Sequence, residues 1–139
     1  VLFNTRAPDG FSACSAGSKP SGQVHPLTLR TLQSLGLETA NLYSKNMQEC
    51  EPFNPDIVIT VCSAAAQEPC PLYLGKAIKA HWGLDDPSHL DLPDEEKMQA
   101  FMQTVEHINR RLDAFFVLDF ANLSDQELTA AIQKISEIA

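Results

Sequence analysis

Several things are scarce or missing in this 139-residue chain, and each absence narrows what it can be. No run of 18 apolar residues occurs, so no membrane-spanning helix is expected, and the first residues carry no signal-peptide pattern. Basic residues are few: ten Lys and Arg face eighteen Asp and Glu, a net charge of −8. That balance excludes a general nucleic-acid binder, because phosphate recognition needs a basic field. Four cysteines are too few for a disulfide-stapled scaffold. They are expected as thiols in a reducing compartment, which makes cytoplasmic the working location and any pairing redox-active rather than structural. His25, His81, His89 and His107 show no H-x-x-x-H spacing, so no zinc site, metal or other cofactor is expected. Repeats, low-complexity tracts and linkers are also missing, which leaves one domain over residues 1–139.

What is present alternates between strand and helix patterns. Residues 1–10, VLFNTRAPDG, begin with an apolar cluster that no helix cap precedes, and they end in a Pro-Asp-Gly turn. FSACSAG (11–17) reads as a short strand. HPLTLRTLQSLG (25–36) reads as a helix with Pro26 in its first turn, Leu29, Leu32 and Leu35 on one face and Gly36 closing it. SKNMQEC starts at a plausible cap, Ser44. DIVITV (56–61) is the clearest strand, a continuous β-branched run of the kind buried on both faces of a parallel sheet. A second strand is expected over 77–82. A long helix over 94–118 follows, with Met98, Phe101, Met102, Val105, Ile108, Leu112, Phe115 and Phe116 as its apolar stripe. The last helix opens with the capping box Ser124-x-x-Glu127 and buries Leu128, Ala131, Ile132 and Ile135. The pattern implies an α/β domain built on a mainly parallel sheet.

In such sheets the functional crevice lies beyond the carboxyl ends of the strands. Three stretches reach that edge: Cys62 to Cys70, the loop after Trp82, and the turn after Ser15. Cys62 and Cys70 hang off the strand 56–61. Asp86 stands directly before Pro87, which restricts it to extended geometry; such a carboxyl can serve as a general acid if its neighbours raise its pKa. Taken singly, these features have bland readings, a small buried thiol and an ordinary turn.

Together they carry a resemblance. SAGSKPSGQVHPLTLRTLQSLGLET, then PDIVITVCSAAAQEPCP and HWGLDDP, resemble in order the arsenate reductases built on the low-molecular-weight tyrosine phosphatase fold. The likeness covers about residues 1–90, and VITVC…CP with HWG-x-DDP is specific only as a combination. It implies a three-layer α/β domain whose four-stranded parallel sheet is flanked by helices. One departure is large. The family opens with a strand and a C-x5-R-[ST] phosphate-binding loop that holds the nucleophilic Cys, and no such string occurs in these residues. VLFNTRAPDG instead resembles the end of the helix after that loop. A native chain about 15 to 20 residues longer is therefore expected, and these 139 residues alone are expected to be inactive.

The resemblance implies that arsenate is the substrate and that Asp86 protonates the departing oxygen. Cys62 would attack the nucleophile's sulfur, and Cys70 would then take the disulfide outward for thioredoxin or a similar thiol donor. Cα atoms eight residues apart in a helix are about 12 Å apart, whereas a disulfide needs roughly 4.4 to 6.8 Å. Any helix between Cys62 and Cys70 must therefore unwind on oxidation. Ser15 matches a position that can brace the phosphate loop, with a solvated strand-end Ser as the alternative. Lys45 stands where some relatives carry a cation-holding acid and so speaks against a metal there. Cys14 and Cys50 are expected to be packing residues, as is Trp82. Two rival functions remain: a phosphatase acting on phosphotyrosine or other phosphomonoesters, and a non-catalytic redox-sensing or binding module. Neither nucleic acid nor a membrane is an expected partner.

Overall fold

Helix α1 (Leu2–Arg6) is short, and its stability comes from what it touches. Leu2 and Phe3 pack on the core, with the Phe3 ring 5.6 Å from Phe115 and 4.9 Å from Phe116. Arg6 binds the Asn109 carbonyl at 2.8 Å and pairs with Asp113. The computed structural model describes residues 1–17, 20–62 and 75–138. Helix α2 (Pro26–Ser34) is capped by the His25 ring, which accepts from the Leu27 N–H at 3.1 Å. It ends in a Schellman motif: Gly36, at φ +75°, donates to Gln33, and Leu37 donates to Leu32, both at 3.0 Å.

Strands β1 (Ile57–Thr60) and β2 (Ile78–His81) pair in parallel, with Ile57 opposite Ile78 and Thr60 opposite His81. They are the two strands among the described residues, one residue or so shorter at each end than the sequence pattern suggests. Each residue of β1 is half-buried rather than sealed on both faces. Helix α3 (Asp94–Phe116) opens with three acids that suit its positive end, and α4 (Asp125–Lys134) has the expected Ser124–Glu127 capping box. Ala80, Trp82, Leu112, Phe115, Leu128, Ile132 and Ile135 form the core between these helices and β2. Ile132 is fully buried and Phe115 is 2% exposed. The outer edge of β2 is closed by a side chain: the Gln133 amide accepts from the His81 N–H and donates to its carbonyl, both at 2.9 Å. The edge is thereby taken up at His81 by its own helix.

The expected strand over 11–17 is not formed. Asn4 lends its amide to the main chain of Ala13, at 2.7 and 2.9 Å, and Gly17 makes one parallel bridge to Asn46. A strand needs a hydrogen-bonded neighbour along its length, and here a cleft of about 1020 Å³ separates residues 11–14 from β1. The helical turn of the SKNMQEC segment is a 3-10 turn, Met47–Phe53, whose cap is Asn46 rather than Ser44. Asn46 and Glu49 form the reciprocal box, and the Ser44 hydroxyl accepts from the Gly22 N–H instead.

Candidate active site

The carboxyl ends of β1 and β2 stay joined past the strands themselves. Trp82 donates its N–H to Thr60 at 2.8 Å, and Leu84 donates to Val61 at 2.9 Å. Cys62, the residue after Val61, is exposed with a free thiol. Asp86 follows Leu84 by two residues, so the two sequence-predicted groups leave the sheet at one edge. Below them Thr60 Oγ1 and His81 Nδ1 lie 2.7 Å apart. Gly83 turns the chain at φ +48°, and a Cβ there would meet His81 Nε2 at 3.4 Å. The conformation favours glycine at this bend, while the space would admit a Cβ in ordinary contact.

Asp86 caps the short 3-10 turn Pro87–His89. Its Oδ1 accepts from the Ser88 N–H at 2.9 Å and the Ser88 hydroxyl at 2.6 Å, and its Oδ2 lies 3.6 Å from His89 Nε2. Partial burial pushes its pKa up, but the two Ser88 hydrogen bonds, with His89 and His25 nearby, outweigh that and leave it below the usual carboxylate value. In this conformation Asp86 is an anion holding a turn. The raised pKa that a general acid needs is not supplied by these neighbours.

Two residues that support this edge carried little signal in the sequence. Arg111 is buried in α3, and its guanidinium donates to carbonyls on both sides. It reaches Trp82, Gly83 at 3.5 Å, Ser136 at 3.0 Å and, through Nε, Ile138 at 3.0 Å. It thereby ties the loop after β2 to α3 and to the end of the chain. The one clue was a charge lodged between Ile108 and Phe115, in the apolar stripe. Gln133, which closes β2, gave no clue beyond its place on α4. Trp82 packs as expected: it is buried, donates Nε1–H to the Ile132 carbonyl at 2.9 Å and meets Phe115 edge-on.

Cys70 lies outside the described residues, as does the expected helix between it and Cys62. Ser15 takes part through its main-chain carbonyl, which accepts from the Cys14 thiol at 3.9 Å and the Cys50 thiol at 3.7 Å. Cys50 is buried, in keeping with a packing role, whereas Cys14 is exposed. Burial, followed by the hydrogen bond to Cys14, pushes the Cys50 thiol up from 9.0 to about 11. Lys45 turns its ammonium over the Tyr43 ring, 4.6 Å from the centroid.

Residues 1–133 match the family described as low molecular weight phosphotyrosine protein phosphatase. The chain belongs to that family. An α/β domain with a parallel sheet is the fold class this phosphatase family and the observed elements share. Named relatives point to one branch of it. The chain is 30% identical to an arsenate reductase of Bacillus subtilis over 107 residues, 77% of this chain and 76% of that protein. It is 29% identical, with the same coverage, to an arsenate reductase of Halalkalibacterium halodurans. Arsenate reductase 1 of Staphylococcus epidermidis is 28% identical over 103 residues, 71% of this chain and 76% of that protein. Among the described residues, no helix is long and apolar enough to cross a membrane.

Proposed function

We propose that this protein is an enzyme that reduces arsenate to arsenite by a three-cysteine relay, a detoxification reaction placed in the cytoplasm. The observation that carries the reading is a free, exposed Cys62 beside the Asp86 loop, in a chain whose relatives are named arsenate reductases. The reading assigns the oxyanion loop and the first thiol to a C-x5-R-[ST] loop, a string that these 139 residues do not contain.

In the first step the nucleophilic thiolate forms a bond to arsenic, and an arsenate oxygen leaves as water after taking a proton from Asp86. The carboxylate seen here must therefore first gain that proton. A neighbouring oxyanion would favour this, because like charge raises a carboxyl pKa. Cys62 then attacks the nucleophile's sulfur. An S–S bond forms, the S–As bond breaks, and its electron pair stays on arsenic, which leaves as arsenite. Cys70 attacks the Cys62 sulfur in turn and frees the first thiolate. The Cys62–Cys70 disulfide is reduced by thioredoxin or a similar thiol donor. Exposure of Cys62 suits it to both exchanges. Ser15 would brace the oxyanion loop; no metal or cofactor is required.

Phosphomonoester hydrolysis fits the family description, and the cysteines separate the two readings. Arsenate-dependent reductant consumption by full-length protein should disappear in Cys62→Ser and Cys70→Ser variants. Unchanged turnover in both, or phosphatase activity without arsenate reduction, would overturn the proposal.

A further inference from the structure

The second pair of cysteines was expected to be inert, and the fold brings it together. Cys14 lies on the irregular segment after α1, and Cys50 lies in the 3-10 turn Met47–Phe53. The two segments are held side by side by the Gly17–Asn46 bridge and the Gly17 N–H bond to the Lys45 carbonyl, 3.0 Å. Both thiols converge on one acceptor, the Ser15 carbonyl, at 3.9 and 3.7 Å. One thiol is exposed and the other buried, so the pair has an open side and a closed side.

We propose that Cys14 and Cys50 form a dithiol site for a trivalent, thiophilic oxyacid of the arsenous acid type. Two convergent thiols can chelate such a centre, while its third position keeps a hydroxyl. Two S–As bonds form and two As–O bonds break. The two thiol protons leave with the two hydroxyls as water, and arsenic stays trivalent, so no oxidant or reductant is needed. Neutral thiols suit this condensation, and burial together with the Cys14 hydrogen bond keeps Cys50 protonated well above neutral pH. The same protonation disfavours Cys50 as a thiolate nucleophile. Among the described residues no three His, Cys, Asp or Glu side chains gather to hold a metal ion, and a two-sulfur, one-hydroxyl centre does not need a third protein ligand. The choice of trivalent arsenic as ligand rests on the reductase reading; the convergence of the thiols does not.

Sodium arsenite binding to the Cys62→Ser, Cys70→Ser double variant tests this by equilibrium dialysis and native mass spectrometry. One arsenite per chain is expected. Adding Cys14→Ser, a change at an exposed position, should weaken binding by about 100-fold or more, because the second bond is then no longer intramolecular. Cys50→Ala should do the same, with circular dichroism confirming that it folds. No binding to the double variant, or binding unaffected by Cys14→Ser, would overturn the proposal. Since the double variant lacks the relay cysteines, either result leaves the reductase reading untouched.

Discussion

The two sides of this molecule are built to different standards. On the side of β2, α3 and α4, side chains interlock until Ile132 is sealed and Phe115 nearly so, and Gln133 pairs with the strand edge at His81. On the side of residues 11–14 and the 3-10 turn Met47–Phe53, a cleft of about 1020 Å³ lies open and Phe53 is 40% exposed. The difference shows which elements stand on local forces. A helix satisfies its own backbone and needs only one apolar face covered, whereas a strand depends on a neighbour.

Truncating an aromatic on each side should break the symmetry most. Phe115→Ala is expected to cost about 3 to 5 kcal/mol, and Phe53→Ala about 0.5 kcal/mol or less, both read from urea midpoints at constant m-value. Equal losses would show that the open side is packed after all. Arg111→Leu comes next. It keeps apolar bulk but takes the Arg111 partner from the buried Trp82 carbonyl, at about 1 to 3 kcal/mol, and from the half-buried Ser136 carbonyl, while the Ile138 carbonyl keeps His107 at 2.7 Å. Amide hydrogen exchange should rise in residues 82–86 before it rises in α2.

The two capping boxes give a finer contrast. Ser124→Ala should cost about 1 kcal/mol, because α4 is a packed helix. Asn46→Ala caps only a 3-10 turn on the open side, and thermal melts should show a smaller loss. The last contrast is in pH. The Cys50 thiol is at 9.0 when unfolded and about 11 when folded, so the folded state holds its proton longer. Its contribution to stability is fully present below pH 9.0 and is lost as pH rises towards about 11. Cys50→Ala should flatten denaturation midpoints over that window, and an unchanged slope would contradict the assignment.

The same contrast explains what could be read without coordinates. The Met98-to-Phe116 stripe, the Ser124–Glu127 box and Gly36 are local signals, and the helices follow them closely. FSACSAG has strand composition, but its pairing depends on what lies beside it, and Gly17–Asn46 is the one bridge it makes. Asn46 took the cap from Ser44 because Glu49 stands three residues after it and can close the box. At the site, the shared edge of Cys62 and Asp86 followed from strand order, while the protonation of Asp86 did not. Ser88 chiefly, then His89 and His25, hold that pKa down, and His25 comes from a distant element. The meeting of Cys14 with Cys50 was equally illegible, since 35 residues separate them along the chain.

The central claim is that this sheet edge passes a disulfide outward after arsenic is reduced. It is tested most directly by quenching full-length protein after one turnover with arsenate, without thiol donor, and mapping disulfides by mass spectrometry. The account predicts a Cys62–Cys70 bridge in stoichiometric yield, with Cys14 and Cys50 free of disulfide. Arsenite release with Cys62 and Cys70 still reduced would contradict it.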